Sequence, residues 1–182
     1  MDVAAVILAG GTAARLDGAD KASLEYGGST FLERALSAAR AAGEVVVVGD
    51  AVPTTRPATF VREDPPLGGP VAGIVAGRSA LAHEPDTVVV LAVDMPFVSV
   101  DTVARLLEAA AGRDGAVLCD ADGRPRLVAA LSLAALDAAA PADPHGASVR
   151  ALLAPLDLAR VAAVGEEARG VDTWRDLRDL PR

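Results

Sequence analysis

Two apolar runs limit what this chain can become. Val3 to Leu8 carries no polar side chain and leads into Gly10-Gly11; Thr87 to Val93 is apolar after its first residue and stops at Asp94-Met95-Pro96. Runs this short cannot cross a membrane, and their glycine and proline boundaries read as strands buried on both faces. Val45 to Val48 and the pair Phe60-Val61 add shorter strands. Helical spacing falls between them. Thr30 to Ala42 places Phe31, Leu32, Ala35, Leu36 and Ala39 on one face, with Gly43 ending it. Val71 to Leu81 is entered through Gly68-Gly69-Pro70, and Ser99 to Ala111 has Ser99 as an N-cap. Further strands are read at Ala116 to Leu118, Leu127 to Leu131 and Leu158 to Val164, and further helices at Leu133 to Ala139, Ala147 to Leu153 and Thr173 to Leu180. Apolar strands alternating with helices predict an α/β fold: a single Rossmann-like domain over 1–182, its mainly parallel sheet flanked by helices on both faces. Ligands of such sheets bind beyond the carboxyl ends of the strands, so the loops after Leu8, Val61 and Val93 are the ones to inspect.

Composition narrows the chemistry. The net charge of −8 argues against a nucleic-acid or anionic-membrane binder, which would need a broad basic surface. A few local cations can still hold a phosphate chain in an acidic protein. The single cysteine, Cys119, allows no internal disulfide and no cysteine-based zinc cluster, and reads as a small hydrophobe at a strand end. With no membrane-length apolar run and no basic leader at Met1-Asp2-Val3, the expected setting is the cytoplasm. The chain has no asparagine or glutamine, and its basic side chains are arginine with one exception, Lys21. That lone compact ammonium lies in the most glycine-rich loop near the N-terminus. A lysine point charge and an arginine fork are not interchangeable at a phosphate.

The loop from Leu8 to Lys21, LAGGTAARLDGADK, brings Gly10 and Gly11 close to where an anion would rest, with Arg15 and Lys21 able to neutralise it. It has neither the Gly-Lys-Ser/Thr of a Walker loop nor the GxGxxG of a dinucleotide fold. A glycine turn bearing two surface cations is the plain alternative. Asp94, at the end of an apolar strand, is costly unless it binds something, and Mg²⁺ favours carboxylate and phosphate oxygens; bracing of the loop is the plain alternative. Gly68, Gly69 and Gly73 around Pro70 leave room for a flat base, or serve helix entry and close packing.

These segments together carry a likeness. LAGG followed by an arginine and Asp-Lys resembles the signature of the sugar-nucleotidyltransferase-like superfamily, and within it the molybdenum cofactor guanylyltransferases. EDPPLGGPVAGI, Glu63 to Ile74, is similar to their acidic residue followed by GPLAG. LAVDMPFVS, Leu91 to Ser99, is similar to their CDMPFL segment, and GRPRLVAAL resembles their acceptor-side strand. GVDTWRDL, Gly170 to Leu177, stands where they have N-x-N/D-T-P-E-D-L, with Gly170 and Trp174 in place of the asparagine and proline. Asp17 stands where a glycine usually follows.

The resemblance implies a nucleotide-diphospho-sugar transferase-like fold and a Mg²⁺-dependent guanylyltransferase. It would move GMP from GTP to the terminal phosphate of a molybdopterin-type acceptor, with other cofactor-synthesis proteins as partners. It implies nucleotide binding by Leu8, Ala9, Gly10, Gly11, Lys21, Asp64, Gly69 and Gly73. Arg15, Lys21 and Asp94 would be catalytic. Asp94 would hold the metal, with Asp172 either a second ligand or a helix cap. Arg124, Arg126, Ser148 and Arg150 would face the acceptor. The alternatives are a cytidylyl- or sugar-1-phosphate nucleotidyltransferase on the same scaffold, or a nucleotide-binding regulatory protein without catalysis.

Overall fold

The computed structural model describes residues 1–10 and 20–181. Gly11, Arg15 and Asp17 lie outside the described residues. Seven strands form one sheet in the order β5-β4-β1-β6-β8-β7-β9: β1 (Val3–Leu8), β4 (Glu44–Val48), β5 (Thr59–Val61), β6 (Thr87–Ala92), β7 (Gly115–Cys119), β8 (Pro125–Ser132) and β9 (Leu158–Ala162). Pairings β1–β4, β1–β6, β4–β5 and β7–β9 are parallel; β8 runs antiparallel to both β6 and β7. The mainly parallel sheet expected from the apolar runs is therefore present, with one reversed strand in it. A small antiparallel hairpin, β2 (Glu25–Tyr26) and β3 (Ser29–Thr30), stands apart from it.

The central strands are apolar throughout because both their faces are covered. On one face Ala5 and Ile7 of β1, Val89 and Leu91 of β6, and Val128 and Ala130 of β8 share a core with Phe31, Leu32 and Leu36 of α1 (Phe31–Ala38) and Val103 and Leu106 of α3 (Val100–Ala109). On the other, Val6, Val88, Val90 and Leu131 pack with Val71 and Ile74 of α2 (Pro70–Ser79), Leu136 of α4 (Leu133–Ala139) and Leu152 of α5 (Val149–Leu153). Cys119, at the end of β7, is buried in this second core, and burial pushes its thiol pKa up. It packs as a small hydrophobe. Gly77 lets α2 sit hard against the sheet: a Cβ there would lie 2.4 Å from Val6 Cγ1. Ser99 caps α3 in a capping box with Thr102. Among the described residues no helix is long and apolar enough to cross a membrane.

The segment after β9 returns from the sheet edge towards its centre, and a buried carboxylate fastens it. Glu167 accepts hydrogen bonds from Thr102 Oγ1 at 2.6 Å, Arg105 Nη2 at 2.6 Å and the Val164 N–H at 2.8 Å. Three residues beyond this clamp the Gly170 backbone begins the approach to β6, where the Val171 N–H donates to the Asp94 carbonyl at 2.8 Å. The last helix, α6 (Trp174–Arg178), follows, capped by Thr173 and Asp176.

Burial alone would raise the Glu167 pKa, but the bonds from Arg105, Thr102 and Val164 outweigh it and hold the carboxyl below its usual range. A depressed folded-state pKa means that this stabilisation is complete above the unfolded carboxyl value, about 4.3. It fades as pH falls through the lower folded value. Glu167→Ala should cost about 2–3 kcal/mol at pH 7, the scale of hydrogen bonds to a charged group. Denaturant melts should also show a shallower loss of stability below pH 4 in Glu167→Gln than in the parent.

Candidate active site

The first described residues after β1 already correct one expectation. The Gly10 N–H does not face an anion: it donates to the Val48 carbonyl at 2.8 Å, as the Ala9 N–H does at 2.9 Å. Gly10 and Leu8 line the cavity at this end of the sheet, while Ala9 is buried beneath it with its Cβ close to Gly49.

The chain is next described at Asp20, whose carboxylate caps a single 3-10 turn over Lys21–Ser23 by accepting from the Ala22 N–H. This cap aims Lys21 back across the strand ends. Its ammonium donates to Asp172 Oδ1 at 2.7 Å and to Asp94 Oδ2 at 3.4 Å. Three segments distant in sequence thus meet at one charge, and the Lys21 side chain is only 19% exposed. Burial by itself would lower the Lys21 pKa; the Asp172 hydrogen bond and the charges of Asp94 and Asp172 outweigh it, leaving the amine above its ordinary value. At Asp94, burial pushes the carboxyl up and Asp172 adds to that, while Lys21 and Arg126 pull it down; the net direction is up.

Asp172 is drawn here rather than into a helix cap. Thr173 and Asp176 form the capping box of α6, and the Asp172 N–H itself donates to Asp176 Oδ2 at 3.0 Å. Two hard carboxylates converging on one cation suit Mg²⁺, which takes one or two protein carboxylates and fills its remaining positions with water and phosphate oxygens. Among the described residues no larger cluster of His, Cys, Asp or Glu is available to a metal.

The cavity beside this cluster measures about 390 Å³ and is lined by Leu8, Lys21, Val48, Glu63, Leu67, Gly69, Gly73 and Asp94, among others. Gly69, at φ 88°, turns the chain into α2 with Pro70 in the first helical turn. Gly73 brings that helix against the sheet: a Cβ would lie 3.1 Å from Leu8 Cδ2. Helix entry, close packing and cavity wall are thus one arrangement. Asp64 is exposed and does not line the cavity; its neighbour Glu63 does. Leu67 is held at φ 63°, left-handed backbone that a branched side chain adopts at a cost of about 1–3 kcal/mol, and it stands exposed at the cavity edge. Sequence reasoning missed Glu63 and Leu67. The acidic pair Glu63-Asp64 was visible, but which member turns inward depends on the local backbone.

A second cavity, about 720 Å³, adjoins the first at Leu127. Val117, Leu153, Leu156 and Leu158 give it an apolar floor, and Arg126, Arg150 and Arg160 lie along it. Two of the expected acceptor residues are therefore brought together. The other two are not. Arg124 is exposed and paired with Asp122 at 3.0 Å, and the Ser148 hydroxyl is occupied as the N-cap of α5. Arg160 is an addition that its place on the edge strand β9 did not advertise. Gly170 matters here as well: a Cβ would lie 3.2 Å from Arg126 Nη2, so the glycine leaves room for that guanidinium near Asp94.

Known proteins resemble this chain in sequence and in fold. Residues 5–163 match the MobA-like NTP transferase domain. The molybdenum cofactor guanylyltransferase of Acidiphilium cryptum is 39% identical over 143 residues, 74% of this chain and 69% of that protein. A probable molybdenum cofactor guanylyltransferase of Opitutus terrae is 33% identical over 190 aligned positions, 99% of this chain and 94% of that protein. Among solved structures, a nucleotidyl transferase from Methanothermobacter has the same fold, with a TM-score of 0.77, 21% identity and coverage of 97% and 94%. A Mycobacterium tuberculosis protein solved with manganese has a TM-score of 0.70 at 19% identity, covering 98% and 97%. With a family match over most of its length and relatives above 30% identity across it, the chain belongs to the MobA-like NTP transferase family.

Proposed function

We propose that this protein transfers GMP from GTP to the terminal phosphate of molybdopterin, or of its molybdenum-bearing form, and releases pyrophosphate. The observation that carries the reading is the meeting of Lys21, Asp94 and Asp172 beside a cavity walled by Leu8, Gly69 and Gly73, the place we assign to the purine. The relatives named as molybdenum cofactor guanylyltransferases support the donor and the acceptor. A nucleotide donor of this kind also fits the expected cytoplasmic setting.

An acceptor phosphate monoester is already anionic near neutral pH, so no Ser-His or Cys-His pair is required. One of its oxygens attacks the α-phosphorus of GTP and forms the new P–O bond. The bond from the α-phosphorus to the bridging oxygen breaks, and pyrophosphate leaves with that electron pair. The difficulty is the approach of two anions, which fixed cations relieve. In this reading Lys21 leaves its carboxylates for the nucleotide phosphates. Arg126 meets the incoming acceptor phosphate, with Arg150 and Arg160 beside the acceptor's body on the apolar floor. Asp94 and Asp172 would hold Mg²⁺, which when bound would offset charge on the phosphates. The manganese complex of the mycobacterial structure supports a divalent ion on this fold. Glu63 reads the base: guanine presents N–H donors at N1 and N2, which a carboxylate accepts.

Three outcomes test this. Thermal shift with Mg²⁺ should rank GTP above ATP, CTP and UTP, and a clear preference for CTP would contradict the guanylyl assignment. Glu63→Ala should weaken GTP by about 10- to 100-fold while leaving ATP nearly unchanged, the scale of a lost charged hydrogen bond. Lys21→Ala should lower kcat/KM by about 10²–10³ in a pyrophosphate-release assay, and Lys21→Arg should rescue it poorly. Full activity in Lys21→Arg would make the lone lysine an accident of composition.

A further inference from the structure

We infer that Lys21 guards the metal position. In the resting protein its ammonium fills the place between Asp94 and Asp172 that a divalent cation takes, and it departs when that cation arrives. The inference rests on the transfer reading for where Lys21 goes next, the nucleotide phosphates, but its resting position stands on geometry alone.

The two carboxylates come from segments 78 residues apart; the bond from the Val171 N–H to the Asp94 carbonyl sets them side by side, and the Lys21 ammonium lies between them at 3.4 Å from Asp94 and 2.7 Å from Asp172. Like charges so placed repel unless a cation lies between them. Lys21 meets that need when no metal is bound. The fit is local as well as electrostatic. The Lys21 backbone sits on the Asp20-capped turn, so the bridge is a preferred pose of an anchored stem. Arg126 also influences Asp94, so one cation remains near that carboxylate after Lys21 moves. An ammonium and a divalent ion cannot occupy one point, and their mutual repulsion makes the exchange all-or-none.

Two properties follow. Metal affinity without nucleotide is held down, because the ion must displace a bonded ammonium. Metal and nucleotide then strengthen one another, since the phosphates give the displaced Lys21 a partner; by reciprocity the metal raises nucleotide affinity by the same factor. Lysine suits this role better than arginine, whose planar fork would bind a carboxylate bidentately and be harder to release.

The chain contains no other lysine, so amine labelling reads this one side chain apart from the N-terminus. An ammonium clasped by two carboxylates reacts slowly with an N-hydroxysuccinimide ester. Adding Mg²⁺ or Mn²⁺ without nucleotide should raise Lys21 labelling several-fold, seen by peptide mass spectrometry, and GTP added with the metal should suppress it again. Separately, Lys21→Ala should bind Mn²⁺ without nucleotide at least about tenfold more tightly than the parent, by calorimetry. Unchanged or slower labelling on metal addition, or no gain in Mn²⁺ affinity in the variant, overturns the inference. Calorimetry of GTP with the parent reports on the transfer reading independently. Failure there alongside metal-driven exposure of Lys21 would reject the function and leave the exchange intact.

Discussion

A carboxylate placed just past the end of a buried strand has to be answered by charge or hydrogen bonds, or the strand end is destabilised. Asp94 is that carboxylate, two residues beyond β6, the strand between β1 and the reversed β8. Much of the surrounding structure acts to meet its demand. The Asp20 cap aims Lys21 at it from one side. From the other, the segment after β9 is fastened by Glu167 to α3 and carries Val171 to the Asp94 carbonyl and Asp172 to the same ammonium. The edge of the sheet is thereby tied to its centre, and the tie is the site.

The cavities extend this cluster in two directions. Towards β1 and α2 lies an apolar slot with glycine walls, which Glu63 lines along with Asp94. Towards β7, β9 and α5 lies a wider trough in which arginines border aliphatic side chains. A base suits the first, and an anionic acceptor with a flat body suits the second. The charge cluster stands where the reacting phosphates of the two would meet. An acidic chain can therefore handle two anions, because a few of its cations, Lys21, Arg126, Arg150 and Arg160, line these two cavities.

The frame of this arrangement was legible in the sequence because central parallel strands are apolar without interruption. β1 was read with its observed bounds, and most other elements were read to within a few residues. The reversal of β8 was not legible, since Val128, Ala129 and Ala130 are buried whichever way the strand runs. The hairpin around Gly27-Gly28 went unread because strands of two residues carry no period. At the site, Lys21 and Asp94 stood out by composition and by strand-end cost. Asp172 remained ambiguous until Thr173 and Asp176 were seen to cap the helix themselves. Gly10 lines the cavity but its N–H is taken by Val48, because residues 9–10 dock on β4, a long-range pairing that no local pattern announces. Glu63 was passed over for Asp64 for the same reason: facing is decided by the backbone after β5.

The central claim is that the two cavities meet at the reacting phosphates, with Lys21 and Asp94 between them. A crystal structure with GTP and Mg²⁺ tests it most directly. The account predicts guanine in the slot against Gly69 and Gly73 with Glu63 at its N1 and N2 edge, and the ion on Asp94 and Asp172. It also predicts the Lys21 ammonium on phosphate oxygens instead of the carboxylates. A nucleotide bound elsewhere, or one bound here with Lys21 still clasped between Asp94 and Asp172, would contradict it.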